Sequence, residues 1–355
     1  MSQNETPQGG RNVENWWRPV VFEQRADHLV RRADMVKSLR AFFDRNGYVE
    51  VETPALQLSP GMEPHLSAFE TRLIGSPGDD LLLYLHTSPE FAMKKLLAAG
   101  MHRIFQLARV YRNGERSAKH HPEFTMLEWY RTRTTWRELA DETAELVRAV
   151  CGSVARRGEN ICDLAGPWEF VSVQEAFQRA TGIDLLATAP EPLFPGTDAL
   201  RFAADGVGVR TDDADTWEDI FFRIFLERIE PGLGTETPTV LHSYPASMAA
   251  LARLSPEDAR VSDRFEIFVC GMELANGYGE LTDAKEQRAR FAEMTKQRVA
   301  QGRSAMSMDE EFLAALESGI PDCAGIALGF DRLVMLATGA ERIEDVLWAP
   351  VVNLD

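Results

Sequence analysis

Two strand-like runs separated by only ten residues, "RIFQLARVYRN" (103–113) and "FTMLEWYRT" (124–132), constrain this chain more than any other feature. A connection that short cannot hold the crossover that parallel strands need, so the runs pair as an antiparallel hairpin. The second run sets Phe124, Met126, Glu128 and Tyr130 on one face by its period of two. The loop between them gathers Arg112, Arg116, Lys119, His120 and His121 within ten residues. That is unexpected in a chain with 55 acidic against 38 basic residues and a formal charge of −17. A cationic loop feeding a strand suits bound polyphosphate. The acidic balance speaks against a broad nucleic-acid footprint while leaving room for a local basic pocket.

The rest of the chain fits the same layout. Leu29, Val30, Val36, Leu39, Phe42 and Phe43 recur at helical spacing and predict a helix ending near Asn46-Gly47. "YVEVETP" reads as a strand stopped by Pro54, and "LLLYL" as a buried strand leading into a helix that starts at Thr87-Ser88-Pro89-Glu90 and closes at Gly100. A helix is predicted from Trp136 to Val150, and "WEFVSV" with a helix near Gln174 to Ala180 forms a smaller unit. "RFEIFVCGMELANGYGELTD" reads as two strands turning near Cys270-Gly271, and "CAGIALGFDRLVMLATG" as strand, glycine turn, helix. With hairpins and long excursions but no sustained β-α-β alternation, the fold class is α+β around an antiparallel sheet. Neither a phosphate-binding G-x-x-x-x-G-K-[ST] loop nor a dinucleotide G-x-G-x-x-G stands in strand-turn-helix context.

At 355 residues and 45% hydrophobic composition the chain suffices for one large domain. Residues 1–19 read as a loose polar tail and 20–355 as the catalytic domain, with a Pro-, Gly- and Asp-rich insertion at about 187–237 that encloses a helical pattern near Trp217 to Ile229. The tail has neither a signal-peptide core nor transit-peptide character, and no apolar run approaches the ~18–20 residues needed to span a bilayer. A cytoplasmic protein without membrane contact is expected. Cys151, Cys162, Cys270 and Cys323 lack metal-ligand spacing and read as reduced, buried thiols.

"TSPEFAMKKLL", "HPEFTMLEWY", "GMELANGYGELTDA" and "GFDRLVMLATGAERIEDV" resemble the signature motifs of class II aminoacyl-tRNA synthetases of the lysyl type. Within these, the chain is most similar to the truncated paralogs that attach (R)-β-lysine to a lysine of elongation factor P. The resemblance covers roughly Val30 to Pro350. It implies an antiparallel sheet flanked by helices, a homodimer, ATP and Mg²⁺ as cofactors, and an aminoacyl-adenylate intermediate. Arg112 and Arg332 take the catalytic positions. Gly114, Glu115, His120, His121, Phe124, Glu273, Leu274 and Gly329 join them in the ATP site, and Glu266 with Glu273 in the metal site. Ser88, Glu90, Glu128, Tyr130, Asn276, Tyr278, Glu280 and Ala327 match the amino-acid pocket.

Elementary chemistry agrees with several of these roles. A carboxylate attacking a phosphate needs a planar cation between the two anions, which suits Arg112. A lysine-like substrate brings two ammonium groups and calls for an excess of carboxylates. Two departures from the family pattern bear on the nucleotide: the R-N-E run reads Arg112-Asn113-Gly114-Glu115, and H-N-P-E-F reads His120-His121-Pro122-Glu123-Phe124. Lysyl-tRNA synthetases carry an N-terminal anticodon-binding barrel, whereas here the first motif is under way by residue 40. A protein acceptor, elongation factor P, is therefore expected rather than tRNA. The alternatives are a stripped synthetase that charges tRNA and a non-catalytic regulatory subunit.

Overall fold

The computed structural model describes residues 16–61, 66–76, 78–300, 302–305 and 307–351. Eight strands form its main sheet: β1 (Val49–Glu50), β2 (Arg103–Tyr111), β3 (Glu123–Thr132), β4 (Glu169–Ser172), β5 (Thr239–Pro245), β6 (Val261–Val269), β7 (Met272–Gly279) and β8 (Cys323–Gly329). Their order is β1-β2-β3-β8-β7-β6-β5-β4. The five inner pairings are antiparallel. The outer ones, β1 with β2 and β4 with β5, are parallel. The α+β expectation holds, and the hairpin of β2 and β3 lies where the two runs and their short loop required it.

Alternation along β3 divides the sheet into two faces. Leu127 and Trp129 point into the main core with Phe105, Ile267, Ile326 and Leu328. The helices Ala26–Arg45, Trp136–Cys151 and Phe330–Thr338 contribute to that core, and Phe43 stacks on Phe105 with ring centroids 4.3 Å apart. Each such buried side chain stabilises the fold by about 1.5–3 kcal/mol through the apolar area it withdraws from water. The helix at 136–151 begins with a reciprocal Thr135–Glu138 capping box that satisfies otherwise orphaned backbone donors. Val30, counted with the apolar stripe of the first long helix, is exposed.

The opposite face is closed at one end by the helices Glu90–Ala98, Ala284–Ala300 and Glu310–Glu317. Phe91, Phe291 and Phe312 pack there against Ile104 and Tyr130 of the sheet. Polar side chains of β3 and β7, Glu128, Tyr130, Asn276 and Tyr278, lie on this face of the sheet.

Three local expectations are corrected. Leu81–Leu85 is the middle strand of a separate three-stranded sheet with Leu56–Gln57 and Phe69–Leu73, and Leu81 and Leu82 are exposed. Apolar content alone could not separate a buried strand from one displaying leucines. "YVEVETP" yields only the two-residue β1 at the sheet edge. "WEFVSV" supplies edge strand β4, not a separate unit, because it pairs with β5 some seventy residues away.

Within 187–237, the helices Asp198–Gly206 and Trp217–Ile224 bury Leu200, Trp217 and Phe221 against Leu241, Tyr244 and Phe268 of β5 and β6. Residues 1–15 of the expected tail lie outside the described residues, and a short helix begins at Pro19. All four cysteines are buried free thiols. Among the described residues no helix is long and apolar enough to cross a membrane.

Candidate active site

Residues directly opposite in neighbouring strands point to the same face. One rung of the sheet therefore aligns Gln106, Glu128, Ala327, Asn276 and Glu266 across five strands. The next aligns Ile104, Tyr130, Gly325, Tyr278 and Arg264. Glu273 should point away from this face, being three residues from Asn276. A bulge between β6 and β7 absorbs one residue, so that Phe268, on the same face of β6 as Glu266, opposes Glu273. The bulge brings Glu273 to the side of Glu266 and sends the Leu274 side chain into the core. Leu274 can thus serve a nucleotide only through its main chain.

The residues expected to line the amino-acid pocket are dense with carboxylates. Ser88 Oγ donates to Glu128 Oε1 at 2.7 Å and Tyr130 Oη to Glu128 Oε2 at 3.0 Å. Ser88 Oγ also accepts the Glu90 backbone N–H at 3.0 Å, fixing the start of the helix at 90–98. Burial, with the neighbouring Glu90 charge, pushes the Glu128 carboxyl up to about 8 despite those hydrogen bonds. Glu280 is 2% exposed and lies 2.5 Å from the ammonium of Lys94, which lies 2.5 Å from Glu90. Burial, with the Glu90 charge, raises the Glu280 carboxyl to about 8 although the Lys94 ammonium draws it back. Burial alone would lower Lys94, but Glu280 and Glu90 outweigh it and hold its proton firmly.

Gly325 is required where it stands, since a Cβ would collide with the Tyr130 ring and the Glu280 carboxylate. Asn276 aims a buried Oδ1, without a hydrogen-bond partner, into the same space. Ser88, Glu90, Glu128, Tyr130, Asn276, Tyr278, Glu280 and Ala327 are thus brought together. Lys94 was missed, although its i,i+4 spacing from Glu90 was readable in "PEFAMKK".

The residues expected to hold the nucleotide lie toward the hairpin tip. The Arg112 guanidinium sits 5.3 Å from the centre of the Phe124 ring and 4.0 Å from Glu115. Gly114 turns the loop at φ +84°, a conformation that favours glycine. Arg332, one turn into the helix that Gly329 caps, donates to the Glu273 carbonyl at 2.7 Å and to His120 Nε2 at 2.8 Å. A guanidinium only donates, so Nε2 accepts and Nδ1–H faces Ser117 Oγ at 2.8 Å. Burial and Arg332 lower His120 to about 4, so it is neutral.

His121 departs from the nucleotide role expected of it. It is buried, with Nδ1 on the Glu123 carbonyl at 2.6 Å and Nε2 accepting from the Val351 N–H at 3.2 Å. Nε2 ties the loop to the C-terminal segment and Nδ1 is engaged by Glu123 of the same hairpin, leaving no donor for a ligand. Asp331, next to Arg332, is itself fixed by the buried Arg32 and by the Thr125 N–H.

Glu266 is buried beside Arg264, whose guanidinium reaches it at 2.6 Å. Burial pushes its carboxyl up, Arg264 pulls it down and Glu273 raises it again. No group of three or more His, Cys, Asp or Glu suited to a metal occurs among the described residues. Two carboxylates fit a hard cation that receives its remaining oxygens from phosphates.

A large sheet flanked by helices, with arginines toward the hairpin tip and glutamates at the opposite end of one face, is the architecture expected of a class II synthetase domain. A family model of class II tRNA synthetases (D, K and N) matches residues 12–353, and the chain belongs to that family. Among curated relatives, the elongation factor P--(R)-beta-lysine ligase of Proteus mirabilis is 44% identical over 326 residues, 91% of this chain and 95% of the relative. Relatives of the same name from Salmonella arizonae, 44% over 336 residues, and Pectobacterium atrosepticum, 42% over 338, each match 93% of this chain and 96% of their own length.

Proposed function

We propose that the chain is an AMP-forming ligase that activates (R)-β-lysine and transfers it to a lysine side chain of elongation factor P. The observation that carries this reading is a pocket of three glutamates, Glu90, Glu128 and Glu280, with a single ammonium, Lys94, among them. Unpaired buried carboxylates are costly, and a ligand with two ammonium groups supplies the missing charge. The names of the relatives supply the β-isomer and the acceptor.

In the first step a carboxylate oxygen of the amino acid attacks the α-phosphorus of ATP, and the bond to pyrophosphate breaks. Arg112 lies between the two anions, Phe124 offers its face to adenine, and Arg332, oriented by His120, takes the outer phosphates. Glu266 and Glu273 would hold Mg²⁺, which neutralises triphosphate charge when bound. In the second step the acceptor amine attacks the acyl carbon, AMP departs with the electrons of the broken C–O bond, and the amine proton passes to solvent.

Intact-mass measurement of elongation factor P after incubation with the chain, ATP and β-lysine should show the addition of one lysyl group. An unmodified factor alongside aminoacylated tRNA under matched conditions would instead identify a tRNA-charging enzyme.

A pH effect follows from Glu128. Below about 8 the empty pocket holds a proton there that a dication must displace, so KM for the amino acid should fall as pH rises from 6 to 8 while KM for ATP changes little. Because the folded-state pKa is raised, this group's stabilising contribution is present below the ordinary carboxylate range and is lost as pH climbs through about 8. Protection by the amino acid in thermal melts should be largest at the upper end.

The chain is also proposed to act as a homodimer. Val49, Leu56, Leu58, Leu73 and Ile74 are exposed around β1 and the small sheet, next to the motif that resembles the family's two-fold interface. Sedimentation at micromolar concentration should give twice the single-chain mass, and a monomer would refute the assignment.

A further inference from the structure

We propose that Lys94 is a positioning residue of the amino-acid pocket, its buried ammonium bridging Glu90 and Glu280 and holding the two carboxylates in place so that the pocket is matched to an amino acid with two ammonium groups. The inference rests on the reading of this pocket as a lysine-type site. Lys94 is 1% exposed and makes both ion pairs at 2.5 Å, on the helix that begins beside Ser88. Among the described residues Glu280 has no hydrogen-bond donor apart from this ammonium.

The groups facing the cluster come from every neighbouring element. Tyr130 and Glu128 belong to β3, the buried thiol of Cys323 to β8, and the Phe312 ring centre lies 5.9 Å from Lys94 Nζ. Arg253, the other cation near Glu280, is tied to Asp263 at 2.7 Å. Among the described residues, Lys94 is therefore the cation that pairs with Glu280 directly.

A purely structural ion pair would be balanced. This cluster has three carboxylates against one ammonium, counting Glu128, which Ser88 and Tyr130 hold in place. Without Lys94, Glu90 and Glu280 would face each other in a dry site with no cation between them. A diamino acid would then meet two carboxylates that nothing holds in place. Lys94 thus acts through the glutamates, and its effect should appear in binding of the amino acid rather than in the chemical step.

The test uses the full chain in amino-acid-dependent pyrophosphate exchange, together with calorimetry of β-lysine binding at pH 7. Lys94→Met should raise KM for β-lysine by about tenfold or more, with kcat and KM for ATP nearly unchanged. It should also narrow the preference for β-lysine over 3-aminohexanoic acid, which lacks the distal ammonium. Lys94→Arg, which keeps a cation between the two glutamates, should recover part of the loss in binding.

Unchanged KM and selectivity in Lys94→Met, or kcat and KM for ATP deteriorating in step with KM for β-lysine, overturn the proposal. So does a Lys94→Arg protein with the KM of Lys94→Met or, if Lys94→Met fails to fold, one whose kcat and KM for ATP deteriorate in step with its KM for β-lysine. Wild-type protein that activates no diamino acid overturns the lysine-type reading and this inference with it. Activity with unaltered Lys94→Met kinetics overturns the inference only.

Discussion

Arg112→Ala is expected to lower amino-acid-dependent pyrophosphate exchange by about 30- to 1000-fold, equivalent to ~2–4 kcal/mol at the transition state. The guanidinium rests over Phe124, its contact with Glu115 is a loose 4.0 Å, and its buried Nε has no hydrogen-bond partner. Its donors are therefore available to a ligand at the place where the attacking carboxylate and the α-phosphate must meet. In water their mutual repulsion is screened, whereas in a closed cleft a fixed planar cation is worth far more. Arg112→Lys should recover only part of the loss, because a point charge cannot bridge two anions with a rigid fork. The arginine is not part of the main core, so melting temperature should change little. Exchange that proceeds undiminished in Arg112→Ala would remove this residue from the chemistry and with it the assigned direction of the cleft.

The sheet and its hairpin were legible because strand periodicity and a short loop leave few alternatives, and Phe124, Met126, Glu128 and Tyr130 do share one face. Glu273 was harder to place. Its number relative to Asn276 gives the wrong face, and only the bulge that buries Leu274 corrects it. A bulge depends on pairing with a distant strand and leaves no mark in local sequence. His121 illustrates a different limit. Its place in the loop suggested a ligand contact, but its partners, the Glu123 carbonyl and the Val351 N–H, are main-chain groups that no motif encodes. Lys94 was hidden for a third reason. A lysine on an amphipathic helix ordinarily faces water, and here two glutamates, one from a segment nearly two hundred residues later, make its burial tolerable.

Ala327→Gly is expected to gain activation of α-lysine selectively while activity with β-lysine changes little. In "GIALGFDR" the Ala occupies a position where lysyl-tRNA synthetases resemble each other in having Gly. Its register partners are Glu128 on one side and Asn276 on the other, so its methyl group lies on the pocket face of the sheet. Gly325, two residues earlier on the same face, has no room for any Cβ because Tyr130 and Glu280 occupy the space. That crowding makes a single methyl consequential. An amino group on the α-carbon is held close to the sheet when the carboxylate meets Arg112 and the distal ammonium meets Glu280. Moved to the β-carbon, it can pass beside the methyl. A steric change of this size is worth ~1–3 kcal/mol, a preference of about 10- to 200-fold that falls short of exclusion. Adenylation kinetics with both isomers provide the measurement, with the β-to-α ratio of kcat/KM expected to drop by that factor in Ala327→Gly. If wild type and variant give the same ratio, the methyl does not discriminate, and the choice between isomers must lie with the carboxylates around it.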